Sequence, residues 1–411
     1  MKQFQVPNIY RSSLISAIKN QRKHNDKLKK DFTPTLLDLG PVQFYLARHF
    51  GFCYGVENAI EIAFNTIEQN PGKRIFLLSE MIHNPQVNEE LISKGVQFLQ
   101  DTKGNQLISF DELTAADIVI IPAFGTTLEM ESLLRSKGIA VEKYNTTCPF
   151  VEKVWNRSAQ LAEKGYAIVI HGKESHEETR ATFSHAGAGT PTVIVNDMKE
   201  TTELAKYITG EKKAASFYEE FKGRYSKGFD ITKDLQRIGV VNQTTQLATD
   251  TQAISDYLKQ IMIRHFADSG KPVSDFFADT RDTLCYATND NQTAAIGLLE
   301  TKADLAIVIG GYNSSNTTHL VELCEKQLPT YFISGPEKII DKNNILHFDY
   351  HKKEELTTQH FLSSATPIKI LITSGASCPD SIVEAVIDKV ASFYNAQEKI
   401  NELKNSYIVS L

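Results

Sequence analysis

Three segments of this chain follow one order: a cysteine, a helical apolar stripe, an apolar strand, then a polar cluster. Cys53 precedes Val56, Ile60, Ala63, Phe64 and Ile67 at helical spacing. Cys148 precedes Val151, Val154, Trp155, Ala159 and Ala162, and Cys285 precedes Ala294, Ala295, Leu298 and Leu299. The clusters are His83-Asn84, His176 with Glu178, and Asn313 to Asn316; they begin 30, 28 and 28 positions after their cysteines. A second strand in each unit ends in a special segment: PAFGTT at 122–127, NQTT at 242–245 and TSGAS at 373–377. A repeat of this length constrains the fold more than local propensity does, since it mis-assigns the whole architecture if missed.

Short β-branched runs at Arg74–Leu78, Ile118–Ile121, Ala167–Ile170, Ile238–Val241, Leu305–Ile309 and Ile368–Ile372 alternate with helical patterns. That alternation predicts parallel α/β layers, and continuous runs such as LAIVIG predict strands covered on both faces. The expected fold class is α/β, with three pseudo-repeated α/β domains at 46–147, 148–284 and 285–395. A polar insertion near 210–234 lengthens the second, and a stretch around 336–365 lengthens the third. Residues 1–45 form an N-terminal extension and 396–411 a C-terminal tail.

The chain has 44 basic and 50 acidic residues, a formal charge of −6, which disfavours a nucleic-acid partner. Its apolar runs are strand-sized, so no membrane span is expected. The extension is basic, with Asp26 its only acid through Lys30, and has no apolar h-region, so it does not read as a secretory signal. It is expected to be solvated and partly helical, with a transit peptide as the alternative reading, and the expected location is cytoplasmic. Five scattered cysteines with no C-x-x-C pair suit neither a disulfide framework nor the usual zinc motif.

Ligands of parallel α/β sheets bind beyond the carboxyl ends of the strands. Three facing units bring Cys53, Cys148 and Cys285 to one cavity, each at a helix start, where thiolate is favoured. Pro149 after Cys148 fits a first helical turn. Three thiolates without a fourth suit an iron–sulfur cluster with one iron open to substrate. Cys324 reads as core, and Cys378 as near the cavity but off the metal.

Ser377 reads as a helix N-cap with Pro379 in the first turn, and Ser314, Ser315 and Asn316 precede another helix. Joined by His83 and His176, these caps form a multidentate oxyanion site. Glu178 is the candidate proton donor beside the open iron, and Thr244 in NQTT orients that proton or the substrate oxygen. His49, His171 and His185 lie near the motifs, where site and scaffold are not separable by sequence.

The segments GFCYGVENAI, MIHNPQVNEEL, TTCPFVEKVW, HGKESHEETRAT, NQTT, LCYATNDNQTA, GGYNSSNTTHL and TSGASCPD together resemble the 4-hydroxy-3-methylbut-2-enyl diphosphate reductase family, from Gly51 to Phe393. The wording PAFG, the extension and the insertion resemble its longer plant and cyanobacterial-type branch. The resemblance implies a trefoil of mostly parallel α/β domains around a central [4Fe-4S] cluster, one iron of which has no cysteine ligand. It implies reductive dehydroxylation of an allylic diphosphate, with electrons from a donor such as ferredoxin or flavodoxin. Carried over by position, Cys53, Cys148 and Cys285 match cluster ligands, and His83 and His176 substrate-contacting histidines. Glu178 matches the proton donor, Thr244 its partner, and Ser314, Ser315, Asn316 and Ser377 diphosphate contacts. One departure is Phe124, where many bacterial members have histidine; the resemblance implies that one diphosphate contact is lost, replaced by a backbone amide, or supplied by Thr126 or Thr127. The rival readings are an iron–sulfur hydro-lyase, which needs no reductant, and a non-catalytic iron–sulfur sensor.

Overall fold

The apolar runs form the expected strands, and they belong to three mostly parallel sheets and a separate hairpin. The computed structural model describes residues 4–278, 283–364 and 366–409. The chain divides into two compact units, one of Met1–Glu57, Ile82–Glu89 and Tyr286–Leu411, the other of Asn58–Met81 and Glu90–Cys285.

The first unit is built on a five-stranded sheet. Leu305–Ile309 lies between Thr330–Ile333 and Ile368–Ser374, all parallel. Val42–Leu46 pairs parallel with Ile368–Ser374, and Thr35–Asp38 adds an antiparallel edge. Leu305 to Ile309 are buried along their whole length, because helices cover both faces. The extension is solvated only in part, with residues 27–31 exposed. Leu14, Ile15, Ala17 and Ile18 of the helix Ser13–Asn25 are buried, and Ser12 Oγ caps it by accepting from Ile15 N at 2.9 Å. Its apolar residues fill the first turns, and the stripe of Leu14 and Ile18 continues into Arg22, whose guanidinium reaches Asp31, so the basic composition of the segment hides a buried start. The tail beyond Ala396 is a helix, Gln397–Val409, which packs against that first helix. The stretch around 336–365 holds the antiparallel hairpin Asn344–Asp349 with Glu354–Gln359.

The second unit carries two parallel sheets. One has Ile75–Leu77 between Gln97–Phe98 and Ile118–Ile120. The other has the order Thr192–Val195, Ala167–His171, Ile238–Asn242, Phe277–Ala278. The insertion folds as the helix Ala214–Glu220 and a loop, and its aromatics join the core around Val169, Val193 and Ile238. Phe217 stacks on Phe221 and Phe229 with centroids 5.0 and 5.3 Å away, and all three are buried with Ile231 and Leu235. Each fully buried aromatic of this kind contributes roughly 1.5–3 kcal/mol, so the segment is anchored despite its polar composition.

No helix among the described residues is long and apolar enough to cross a membrane.

Candidate cluster and anion sites

All three repeat cysteines sit immediately before a helix, and each backbone amide is held by a strand end. Cys148 is the N-cap of Pro149–Glu163, with proline at the first turn, and its N–H donates to Ala123 O at 2.9 Å. The preceding Thr146 donates through both its amide and its hydroxyl to Ile121 O, which lays this segment along the end of Ile118–Ile120. Cys285 N donates to Thr244 O at 3.3 Å, beyond Ile238–Asn242. Cys53 N donates to Ala376 O at 3.1 Å, beyond Ile368–Ser374, and Tyr54–Gln69 follows it. Thus PAFGTT, NQTT and TSGAS each grip the cysteine that opens the next unit, the last gripping the first.

The three thiols are partly exposed and free of disulfides, whereas Cys324 and Cys378 are buried. Burial pushes both of the latter up to about 12, which leaves them as inert thiols. Burial also raises the Cys53 thiol, against the amides of Val56 and Gly55 that favour its thiolate. Among the described residues no three His, Cys, Asp or Glu side chains gather closely enough to hold a single metal ion.

In the second unit, His176 is the N-cap of Glu177–Gly187, its Nδ1 accepting from Glu178 N at 3.2 Å. The Glu178 carboxylate accepts from Thr244 N at 2.5 Å and Thr244 Oγ1 at 3.0 Å, and both residues are buried. The structure therefore joins three of the expected residues, Glu178, Thr244 and His176, with Cys285 attached through Thr244. Gln243 braces them: its amide donates to His171 O at 2.9 Å, and its Oε1 accepts from Thr179 Oγ1 at 3.1 Å. On the adjoining side, buried Ser79 donates to the carboxylate of Glu177.

Phe124 meets the His176 ring edge to face, with centroids 5.7 Å apart and planes at 87°. Of the hydroxyls expected to replace a histidine there, that of Thr127 caps Leu128–Ser136 by accepting from Met130 N at 3.3 Å. It is thereby committed to the helix. His185 stacks on Trp155 at 3.7 Å, and His171 Nδ1 meets Thr251 Oγ1 at 3.0 Å, so both serve the scaffold.

The first unit holds the other expected residues. Ser314 is the N-cap of Ser315–Glu325, accepting from Thr317 N at 3.2 Å. Ser314, Ser315 and Asn316 are all buried, although helix N-termini with small hydroxyl residues are more usually solvated. Asn316 Oδ1 accepts from Ala376 N at 2.9 Å and Asn291 Nδ2 at 3.3 Å, while its own Nδ2 is buried with no partner among the described residues. A buried donor of this kind costs free energy unless a ligand accepts from it. Ser377 is not the N-cap it was expected to be. The cap of Asp380–Ser392 is Pro379, in extended conformation and without a side-chain bond. A turn closed by Cys378 N to Gly375 O carries Ser377 away from the helix axis, and its Oγ donates to His83 O at 3.1 Å. His83 itself lies against Gly311, where a Cβ would stand 2.2 Å from its carbonyl oxygen, so only glycine admits it.

Sequence reasoning missed Asn291 and His319. Asn291 shows a signal in retrospect: Thr288, Asn291 and Gln292 form a polar stripe at helical spacing, yet all are buried. His319, buried on the helix of Asn316, bonds Glu322 Oε2 through Nδ1 at 2.7 Å and has no partner at Nε2 among the described residues.

These features define a protein of the α/β class with cysteines at three helix starts, a buried carboxylate and a buried cluster of amide and hydroxyl side chains. The family described as LytB protein matches residues 44–391. A 4-hydroxy-3-methylbut-2-enyl diphosphate reductase of Picosynechococcus is 40% identical over 382 residues, 93% of this chain and 89% of that one. Its counterpart in Crocosphaera subtropica is 39% identical over 94% of this chain and 90% of that one. A solved (E)-4-hydroxy-3-methyl-but-2-enyl diphosphate reductase, the terminal enzyme of the non-mevalonate pathway, superposes with TM-score 0.51 at 25% identity, covering 84% of this chain and 98% of that chain. The Plasmodium falciparum reductase shares the fold, with TM-score 0.61 at 21% identity over 86% of this chain and 88% of that one. The chain belongs to the LytB family, the 4-hydroxy-3-methylbut-2-enyl diphosphate reductases.

Proposed function

We propose that Cys53, Cys148 and Cys285 are the protein ligands of one [4Fe-4S] cluster with one iron free of cysteine. With it the chain, an oxidoreductase of the non-mevalonate isoprenoid pathway, converts (E)-4-hydroxy-3-methylbut-2-enyl diphosphate to isopentenyl and dimethylallyl diphosphates. The observation that carries the ligand assignment is the equivalence of the three cysteines. Each immediately precedes a helix, each is a partly exposed residue free of disulfides, and each amide is held by the corresponding strand end.

When bound, the cluster supplies two electrons and a Lewis acid toward the substrate hydroxyl. The side chains supply the rest. Ser314, Ser315, Asn316 and Ser377, with His83 and His176, hold the diphosphate; the unpartnered amide of Asn316 supports this reading. Of the two protons the reduction takes up, Glu178 delivers the one that lets the hydroxyl leave as water, the other going to the allylic carbon, and Thr244 fixes the Glu178 carboxyl by two hydrogen bonds. Binding energy from the diphosphate thus orients the distant carbon–oxygen bond. Electrons come from a small donor such as ferredoxin or flavodoxin, and the reaction belongs in the cytoplasm.

An anaerobic assay on freshly purified protein tests this: reduced viologen should be oxidised only when the hydroxylated diphosphate is added. Conversion of substrate without a reductant would mean an iron–sulfur hydro-lyase. Iron and sulfide uptake with no conversion would mean a sensor.

A further inference from the structure

The insertion builds one wall of a cavity of about 670 Å³ in the second unit. Lys222 and Lys227 come from that wall, Lys103 from the loop after Gln97–Phe98, and Arg180 from the helix Glu177–Gly187. Two carboxylates, Glu129 and Glu174, line the cavity with these four cations, which leaves the lining with an excess of positive charge. Glu129 accepts from Ser184 Oγ at 2.8 Å, and Glu174 lies 3.6 Å from Arg224. Arg180 donates to two neutral carbonyls, Ser175 O at 2.6 Å and Thr102 O at 2.9 Å, which aim its guanidinium without neutralising it. No carboxylate pairs with Lys103, Lys222 or Lys227 among the described residues. On a chain of net charge −6 this is a local reversal of sign, confined to a concavity of ligand size.

The same lining includes apolar Phe183, half-buried, and Ile194, buried. We propose that the cavity is a binding site for an amphiphilic phosphate ester. A diphosphate head engages Lys103, Arg180, Lys222 and Lys227, and a short hydrocarbon chain lies on Phe183 and Ile194. The site is separate from Glu178, whose carboxylate faces Thr244, yet it uses the same helix. The binding claim does not rest on the proposed reaction; only the choice of an allylic probe does.

The test is calorimetric titration of geranyl diphosphate into the cluster-loaded full chain. The wild type should show a binding event that the double variant Lys222→Glu/Lys227→Glu weakens by roughly tenfold or more, since reversing charges at a desolvating contact raises dissociation steeply. Lys103→Glu, on a different segment, should weaken the same event, which guards against a folding defect in the insertion. Unchanged affinity in both variants overturns the site. Inorganic diphosphate binding there as tightly as geranyl diphosphate overturns the amphiphile. Neither readout needs turnover, so an inactive protein that binds as expected refutes the reductase reading alone.

Discussion

Thr244 donates to Glu178 twice, through its amide and its hydroxyl, while its carbonyl accepts the amide of Cys285. A single strand-end residue thus fixes both the candidate acid and the backbone of a candidate cluster ligand. Outer contacts of this kind commonly set how well a first ligand is oriented.

Glu178→Gln keeps the shape of the side chain and an oxygen that accepts from Thr244, but removes the transferable proton. Turnover is expected to fall about 10²–10⁴-fold. Iron and sulfide content should match the wild type, measured on the same preparation. A normal kcat would end the assignment of Glu178 as the acid.

Cys285→Ser leaves the amide bond to Thr244 intact and changes only the ligating atom. Iron and sulfide per chain should drop clearly, and the visible charge-transfer absorption with them. Retention of the full complement would remove Cys285 from the ligand set.

Phe124→His exchanges an edge contact with His176 for a possible hydrogen-bond donor. Aromatic pairs of this kind are worth about 0.5–1.5 kcal/mol, so KM should change within roughly tenfold and activity should remain measurable. Complete inactivation in steady-state assays would mean that the ring holds His176 in place by packing that no histidine reproduces.

His49 predicts a pH dependence of stability. Its folded pKa is pushed down to about 4, chiefly by burial and then by Arg48, from an ordinary 6.5. Between those values the unfolded chain takes up a proton that the folded chain refuses, so stability falls as pH drops from about 6.5 toward 4. Because the ring is only half-buried, the contribution is about 1 kcal/mol after discounting for solvent screening. His49→Gln should flatten that limb in urea titrations at several pH values; an unchanged slope would place the effect elsewhere.

What could be read in the sequence was local. Leu305–Ile309 is a strand with the expected bounds, because five apolar residues in a row have no other use at that length. Arg74–Leu78 shrinks to Ile75–Leu77, since the Arg74 side chain turns to Asp117. The cysteine positions were legible because proline and helix-start chemistry act within one turn. Ser377 was misread as a cap because S-x-P looks like one, and only the turn at Gly375 sends it toward His83. The burial of Ile15 and Phe217 depended on partners far along the chain, which composition does not reveal. Asn291 and His319 were hidden for the same reason: their polarity reads as surface until the fold buries it.

The strand Val42–Leu46 has a consequence for how the protein is made. It lies inside its sheet, hydrogen-bonded to Ile368–Ser374, and Cys53 is gripped by Ala376. A nascent chain leaving the ribosome N-terminus first therefore carries that strand with only one of its two neighbours, Thr35–Asp38, and a loose thiol until Ile368–Ser374 and Ala376 have emerged. Completion of this unit, and with it the seating of the first cysteine, waits on a segment more than 300 positions downstream of Cys53.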